Sequence, residues 1–291
     1  MNHILQPLAE IYPQLYLTPG EEGAEQFRRV VGRGEDPPTH SLDHFRGSPR
    51  DSVTTETTPA GDVTVITLGD RQDFELFLQI MGNRCIPEKI PVTQGASILD
   101  GVINWTKIRK HEAEYLASGG DPQELLNEFK RFTSEPRNFK DALIVLSTGP
   151  YSAVRAEETG MTEEDWLAAS YRIRKAHECT HFICRRLFPE KIDAVWDELV
   201  ADAVGLYAAF GHYELRLAEI FLGISEQGYT GGRLENYARD EDLDELAKKV
   251  HRTLLHLDGV IRGEGKTDPW ALAIRLEDEI SFWKGDAHEH L

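Results

Sequence analysis

The five residues His-Glu-Cys-Thr-His at positions 177 to 181 restrict the fold of this chain more than any other segment. Histidines four residues apart on a helix project from one face, one turn above the other. That spacing allows both imidazoles to bind one zinc ion, while the glutamate beside the first histidine can act on a water molecule. The motif therefore predicts His177 and His181 as metal ligands and Glu178 as a general base.

The sequence around the motif predicts a helix from Thr162 to Leu187. Thr162 is a suitable N-cap, acidic residues follow it at once, and neither glycine nor proline occurs before Pro189. The less polar positions recur at three- and four-residue steps and form one stripe that contains both histidines. Since buried imidazoles need partners, we expect this stripe to face other polar groups inside the protein.

A second helix is predicted from Lys191 to Gly223, after a turn. Its mostly apolar first part carries Glu198 and Asp202, and carboxylates in such surroundings need a cation or hydrogen-bond donors. In an antiparallel hairpin, His181 and Glu198 are level, each roughly 12 Å from the turn. Asp202 then lies beside His177, one turn further out. The spacing predicts Glu198 as the third ligand and Asp202 as acceptor of the imidazole N–H that the metal leaves free.

This arrangement resembles the gluzincin (thermolysin-like) metallopeptidases, in which a helix with Glu-x-x-x-Asp follows the HExxH helix. The matching positions cover under a tenth of the chain and are His177, Glu178, His181, Glu198 and Asp202. The resemblance implies one Zn²⁺ per chain and a zinc-dependent hydrolase of the peptidase type, with a peptide or protein substrate. It also implies a second donor to the substrate oxygen. Candidates are Tyr213, Tyr229 and Arg233, with His212 and more remotely His251 and His256.

Other interpretations of the same residues remain open at this stage. Asp197 is the rival third ligand, although it points about 100° away from Glu198 around the helix. Cys184 lies one turn beyond His181 and is a further possible ligand. The main functional alternative is a non-catalytic zinc-binding scaffold or partner-binding protein, which a closed fourth coordination position would favour. A di-iron carboxylate oxidoreductase is more remote, because the sequence offers no second Glu-x-x-His on another long helix.

Composition limits the possible partners and compartments. The net charge of −18 argues against nucleic acid or an anionic membrane as a partner. The chain has only three cysteines, and this small, odd number argues against a disulfide framework. The N-terminus lacks the pattern of a signal peptide, and no apolar run reaches the roughly 20 residues that span a bilayer. We therefore expect a cytoplasmic protein.

The predicted fold is α+β and predominantly helical, with a zincin-like half that carries the metal helix, its antiparallel partner helix and a small sheet before them in sequence. We predict a mixed α/β region over residues 1–140 and a helical metal-binding region over 141–291, or one continuous domain. Residues 142–147 read as a strand, either an edge strand that holds an extended substrate or an ordinary buried one. The other predicted elements are a strand at 63–68, helices at 73–81, 97–116, 122–132, 240–259 and 268–283, and loops over 20–62.

Overall fold

The computed structural model describes residues 4–238 and 242–285 and shows a mostly helical α+β protein. The chain divides into two compact units. The first unit comprises residues up to 56, 63–91 and 97–147, and the second comprises 57–62, 92–96 and the residues from 148 onward. The chain thus passes finally into the second unit after Ser147, whereas the sequence put the division after residue 140.

The elements are numbered in chain order. The strands are β1 (Ser52–Thr58), β2 (Gly61–Leu68), β3 (Ala96–Ile103), β4 (Lys140–Ser147), β5 (Ile224–Ser225) and β6 (Gly228–Tyr229). The α-helices are α1 (Gln6–Ile11), α2 (Glu21–Arg33), α3 (Arg71–Met81), α4 (Trp105–Ala117), α5 (Leu125–Thr133), α6 (Ala156–Thr159), α7 (Glu163–Leu187), α8 (Ala194–Phe210), α9 (Leu215–Leu222), α10 (Leu243–Glu264), α11 (Pro269–Leu276) and α12 (Ile280–Lys284). Short 3₁₀ turns connect several of them.

The first unit contains a four-stranded sheet in the order β1-β2-β4-β3. β2 and β4 are parallel, with Val65 opposite Ile144, and their apolar side chains join a core that includes Phe74 and Phe77 of α3. Because β4 lies between two other strands, its interpretation as an exposed edge strand is wrong. The edges of this sheet are β1 and β3.

The sequence prediction failed where local residues suit more than one structure. Residues 97–116 were predicted as one helix, but β3 occupies the first part and α4 begins at Trp105, capped by the Asn104 side chain. The loops predicted over 20–62 contain both α2 and β1. Helix α2 contains two glycines, which are poor helix formers, and β1 has Val53 as its one apolar residue, so packing within the unit stabilises both elements.

The second unit is helical, and its largest fully buried side chains include Trp166, Trp196 and Phe221. The predicted helix at 162–187 is confirmed as α7, with the Thr162 hydroxyl accepting the backbone N–H of Asp165 at 3.1 Å. Among the described helices, none is both long and apolar enough to cross a membrane.

The helix predicted over 191–223 is instead two helices, α8 and α9. Gly211 ends α8 in the left-handed conformation at φ 76°, and its N–H donates to the Tyr207 carbonyl. Glycine adopts this conformation without steric cost, so it terminates the helix. Near the C-terminus, the predicted helix over 268–283 is interrupted by the 3₁₀ turn Glu277–Glu279. The predicted start of the preceding helix at Asp240 lies outside the described residues.

Helices α7 and α8 pack as an antiparallel pair. The backbone of Ile173 lies against Gly205, His177 lies against Asp202, and His181 lies against Glu198, so the register runs in opposite directions along the two helices. A Cβ atom on Gly205 would lie 2.9 Å from the Ile173 carbonyl oxygen. Glycine therefore permits the close approach that brings the two sets of polar side chains together.

We expect Gly205→Ala to destabilise the protein by about 1–3 kcal/mol, because the added methyl group forces α7 and α8 apart. Urea unfolding of the metal-free protein measures the change. Gly259→Ala is the matched control: Gly259 is an exposed residue within α10, and a Cβ there would meet no atom within 4 Å. That variant should be unchanged or up to about 1 kcal/mol more stable, because alanine is the better helix former. Equal stability of the two variants would contradict this account of the packing.

Candidate metal centre

Three side chains from α7 and α8 converge at one point inside the second unit. They are His177 and His181 on α7 and Glu198 on α8, and their donor atoms all lie within 4.8 Å of one another. Both histidines are buried, and the Glu198 side chain is 18% exposed. The sequence prediction of these three residues as one ligand group therefore corresponds to a real cluster in the fold.

The spacing of the donor atoms fits a zinc ion. Two ligand atoms at zinc bond lengths of about 2.0–2.1 Å in a tetrahedral site lie about 3.3 Å apart. His177 Nε2 lies 3.0 Å from His181 Nε2, and the nearest Glu198 oxygens lie 3.6 Å from His177 Nε2 and 3.3 Å from His181 Nε2. Two imidazoles and a carboxylate are also a donor set that zinc prefers, so the residues fit the metal in both chemistry and size.

The outer nitrogen of His177 is held by a buried carboxylate. Nδ1 of His177 lies 2.9 Å from Oδ1 of Asp202, which is 1% exposed. An Nδ1 proton shared with Asp202 leaves the Nε2 lone pair directed at the ligand cluster, as metal binding requires. Burial alone would lower the pKa of His177, but the hydrogen bond to Asp202 and the charge of Glu198 raise it overall.

Tyr151 completes the contacts around this carboxylate. Its hydroxyl donates to Asp202 Oδ1 at 2.6 Å and lies 2.9 Å from His177 Nδ1. Burial and the Asp202 charge raise the pKa of Tyr151 well above its ordinary value, so the phenol remains a donor. The next two residues, Ser152 and Ala153, have φ values of 53° and 58°. Such strained backbone persists only where surrounding contacts hold it, and the Tyr151 hydroxyl bond to Asp202 is one such contact.

Arg233 supplies the positive charge that balances the two carboxylates. One terminal guanidinium nitrogen bonds Oδ2 of Asp202, and the other lies 3.8 Å from Oε2 of Glu198. Burial alone would raise the pKa of Asp202, but Arg233 and His177 hold it below its ordinary value. Glu198 behaves in the same way, since the two histidines and Arg233 outweigh the effect of burial and lower its pKa. Both acids are therefore ionised at neutral pH.

A glycine-rich loop holds Arg233 in this position. The Tyr229 hydroxyl donates to the Gly232 carbonyl and accepts the Gly232 N–H, both at 2.9 Å. A Cβ atom on Gly232 would lie 2.4 Å from the backbone nitrogen of Gly223, so the two backbone segments pack directly on one another. Tyr229, a candidate catalytic donor from the sequence, is thus engaged with the loop that carries Arg233.

Tyr237 lies beside the third ligand. Its hydroxyl donates to Oε2 of Glu198 at 2.9 Å. Burial raises the pKa of Tyr237, Arg233 partly opposes this, and Glu198 adds to it, so the hydroxyl stays protonated. The group is a neutral hydrogen-bond donor at the edge of the ligand cluster.

Glu178 is buried but has no partner. The residue is only 9% exposed. Its carboxylate forms no hydrogen bond or ion pair with any other part of the chain that the structure describes. A buried carboxylate normally finds donors, since leaving one unpaired is costly. Both oxygens of Glu178 are nevertheless free of hydrogen bonds and ion pairs within the described residues.

The remaining candidates from the sequence are not members of the cluster of His177, His181 and Glu198. Tyr213 is buried, and its hydroxyl has no hydrogen-bond partner among the described residues. Asp197 and Cys184 do not join the ligand group of the described chain and lie together in a small pocket with Glu277. The other three histidines each contact an acid outside the ligand group, in the pairs His212–Glu214, His251–Glu219 and His256–Glu279.

Tyr151 and Tyr237 were not predicted from the sequence. Tyr151 precedes His177 by 26 residues and shares no helical period with it. Its only signal is a position just after Gly149-Pro150, where the strand β4 has ended. Tyr237 follows Arg233 by about one helical turn, just after the 3₁₀ turn Arg233–Asn236, which is a weak signal on its own.

One protein family matches a range of the chain that includes the whole of this centre. Residues 16–258 match DUF7005, a family of unknown function. The chain belongs to this family. The matched range contains every residue of the ligand cluster and of its supporting network, from Tyr151 to Tyr237. No curated protein and no solved structure matches the chain.

Proposed function

We propose that this DUF7005 protein is a zinc-dependent hydrolase, specifically a metallopeptidase of the gluzincin type. One observation carries the proposal: His177, His181 and Glu198 form a three-residue ligand group, and an unpaired carboxylate, Glu178, stands beside them in the motif. Structural zinc sites are usually closed by four protein ligands, whereas catalytic sites use three and keep one position open.

The absence of a fourth ligand favours the enzyme over the zinc-binding scaffold. Within residues 4–238 and 242–285, no other His, Cys, Asp or Glu joins the ligand group. Cys184, the side chain that would have closed the site, is not part of the group. The same ranges hold no second group of this kind, which a di-iron centre would need.

The chemistry follows from the residues that would hold the ion. When bound, Zn²⁺ supplies a Lewis acid that polarises a carbonyl group and lowers the pKa of water. Glu178 would accept the proton of the attacking water and pass it to the leaving amine. Asp202 would keep His177 in one tautomer. Tyr151 and Arg233 would in turn hold the Asp202 carboxylate in position.

We assign the donor to the substrate oxygen to Tyr237 in preference to Tyr229 and Arg233. The Tyr229 hydroxyl is occupied by the backbone of Gly232, and Arg233 is bonded to Asp202. The Tyr237 hydroxyl is protonated and donates to Glu198 Oε2 at 2.9 Å, so it lies at the ligand cluster and would turn to a substrate oxygen when Glu198 holds the ion. A neutral donor aimed at developing negative charge is the usual requirement of such a site.

The direct test is the metal content and the activity of the purified protein. We expect about one zinc per chain, measured by atomic emission, and hydrolysis of a mixture of unmodified peptides, followed by mass spectrometry. Removal of the metal with a chelator should abolish cleavage, and zinc should restore it. His181→Ala should bind zinc far more weakly. If the metal-free protein does not bind zinc, the proposed metal centre is wrong. If the protein binds zinc but cleaves no peptide, the non-catalytic zinc-binding scaffold is favoured.

A further inference from the structure

A groove in the first unit runs along the edge strand β3. Its volume is about 590 Å³, within the range of known ligand sites. All six residues from Ile98 to Ile103 line one wall. Side chains of a strand alternate between the two faces of a sheet, so six consecutive residues can line one cavity only along the edge. The opposite wall includes Phe27 and Val31 of α2 and Met81 at the end of α3.

The backbone along this edge is available for pairing. β3 is the last strand of its sheet, so one side of it has no strand neighbour among the described residues. From Ile98 to Ile103, the only hydrogen bond to another described group outside the strand pairing is the one from the Gly101 N–H to the Asp100 carboxylate. Gly101 has a left-handed φ of 75°, which bends the strand locally, and the residues on either side of it belong to the strand and can accept an added strand.

The groove is basic although the protein is strongly acidic. Arg28, Arg84 and Lys140 line it, and Asp100 is the only acidic lining residue. None of the three cations forms an ion pair with a carboxylate in the described ranges, while acids outnumber bases by 50 to 32 in the chain. Cations that stay unpaired in such a chain favour an anionic ligand.

The backbone conformation at Arg84 is consistent with this interpretation. Arg84 and Cys85 adopt φ values of 54° and 63°, which cost roughly 1–2 kcal/mol per residue for side chains other than glycine. The conformation is held by hydrogen bonds from the Cys85 N–H to Gln79 and from the Gly20 N–H to the Cys85 carbonyl, both 2.8 Å long. In this conformation Arg84 lines the groove while Cys85 is buried in the core.

We propose that this groove binds an extended acidic peptide segment, which adds to β3 as a further strand. The backbone of the segment would pair with residues 98–103, and its carboxylates would meet Arg28, Arg84 and Lys140. Its apolar side chains would contact half-buried residues of the wall such as Leu99 and Val102. This site lies wholly in the first unit and does not depend on the metal centre.

The test uses the full chain and a synthetic seven-residue peptide of alternating glutamate and valine, acetylated, amidated and labelled for fluorescence anisotropy. We expect binding that weakens as salt is added. The double variant Arg28→Glu/Arg84→Glu should weaken binding by at least about tenfold, because both contacts become repulsive. Arg33→Glu is the matched control, since Arg33 lies on the same helix but outside the groove lining. Arg28→Gln/Arg84→Gln, a milder change, should show the same direction.

A second pair of peptides separates strand addition from charge attraction alone. A peptide of the same sequence with alternate backbone nitrogens methylated cannot donate to β3 and should bind at least about tenfold more weakly. The lysine–valine counterpart should not bind. Equal binding of the methylated and unmethylated peptides would overturn strand addition. Failure of the acidic peptide to bind, or equal effects of the groove and control variants, would overturn the site itself.

Discussion

Replacing Glu178 with glutamine should abolish hydrolysis and leave the zinc in place. Glutamine keeps the size of the side chain but cannot accept a proton, so the loss in kcat should be about 10²–10⁴-fold. Zinc content should stay at that of the unmodified protein, because the donor atoms belong to His177, His181 and Glu198. Peptide cleavage rates and metal analysis of the same preparation measure the two effects.

The control for this experiment is Glu164→Gln, the same change at an exposed position in the first turn of α7. It should alter neither zinc content nor cleavage. If Glu178→Gln retains full activity, Glu178 is not the base and the proposed chemistry fails. If it loses its zinc, the residue has a structural role that its lack of partners does not indicate.

Asp202→Asn is expected to weaken zinc binding by about 10–100-fold, because the carboxylate that orients His177 is lost. Chelator competition measures the affinity. The same change leaves Arg233 buried beside a neutral group, and breaking a buried charge pair costs about 3–5 kcal/mol. The metal-free variant should therefore also unfold at lower urea concentration.

The stability loss should depend on pH in a defined direction. The pKa of Asp202 is lowered in the folded protein, since Arg233 and His177 outweigh the opposite effect of burial. A carboxylate of this kind stabilises fully above the unfolded pKa of about 3.9, and its contribution is lost as the pH falls through the folded value. The difference in unfolding free energy between the two proteins should therefore be full at neutral pH and shrink in acid.

Asp197→Asn is the matched control on the same helix. Asp197 lies outside the ligand group, so its replacement should change zinc affinity little. Equal effects of the two substitutions would show that Asp202 acts only through general packing. If Asp202→Asn binds zinc with unchanged affinity, Asp202 does not orient His177 for metal binding.

The ligand group was predictable because a helix has one regular rise and one regular period. The four-residue spacing of His177 and His181 fixes their common face, and equal distances from the turn set Glu198 and Asp202 opposite them. The structure brings all four together through the α7–α8 pair, which Gly205 allows to pack closely. This part of the site is local in sequence, so little beyond the hairpin was needed to derive it.

Where local preference is ambiguous, sequence reasoning failed. Residues 97–103 suit a helix or a strand by composition, and their pairing beside β4 makes them a strand. The proposed peptide site depends on this outcome, since the groove along β3 exists only because these residues form an edge. The prediction of one helix from Lys191 to Gly223 was wrong for a different reason. A single residue in the left-handed conformation, Gly211, ends the first of the two helices that form there.

The sequence by itself determined that His177, His181 and Glu198 form one cluster, because helical geometry relates residues that are close along the chain. Only the tertiary structure decided what surrounds them. Tyr151 reaches Asp202 from the segment after β4, and Arg233 reaches it from a loop between β6 and α10. No period links these positions to the motif. Their contacts depend on how buried charge is neutralised once the helices have packed, and that balance exists only in the folded chain.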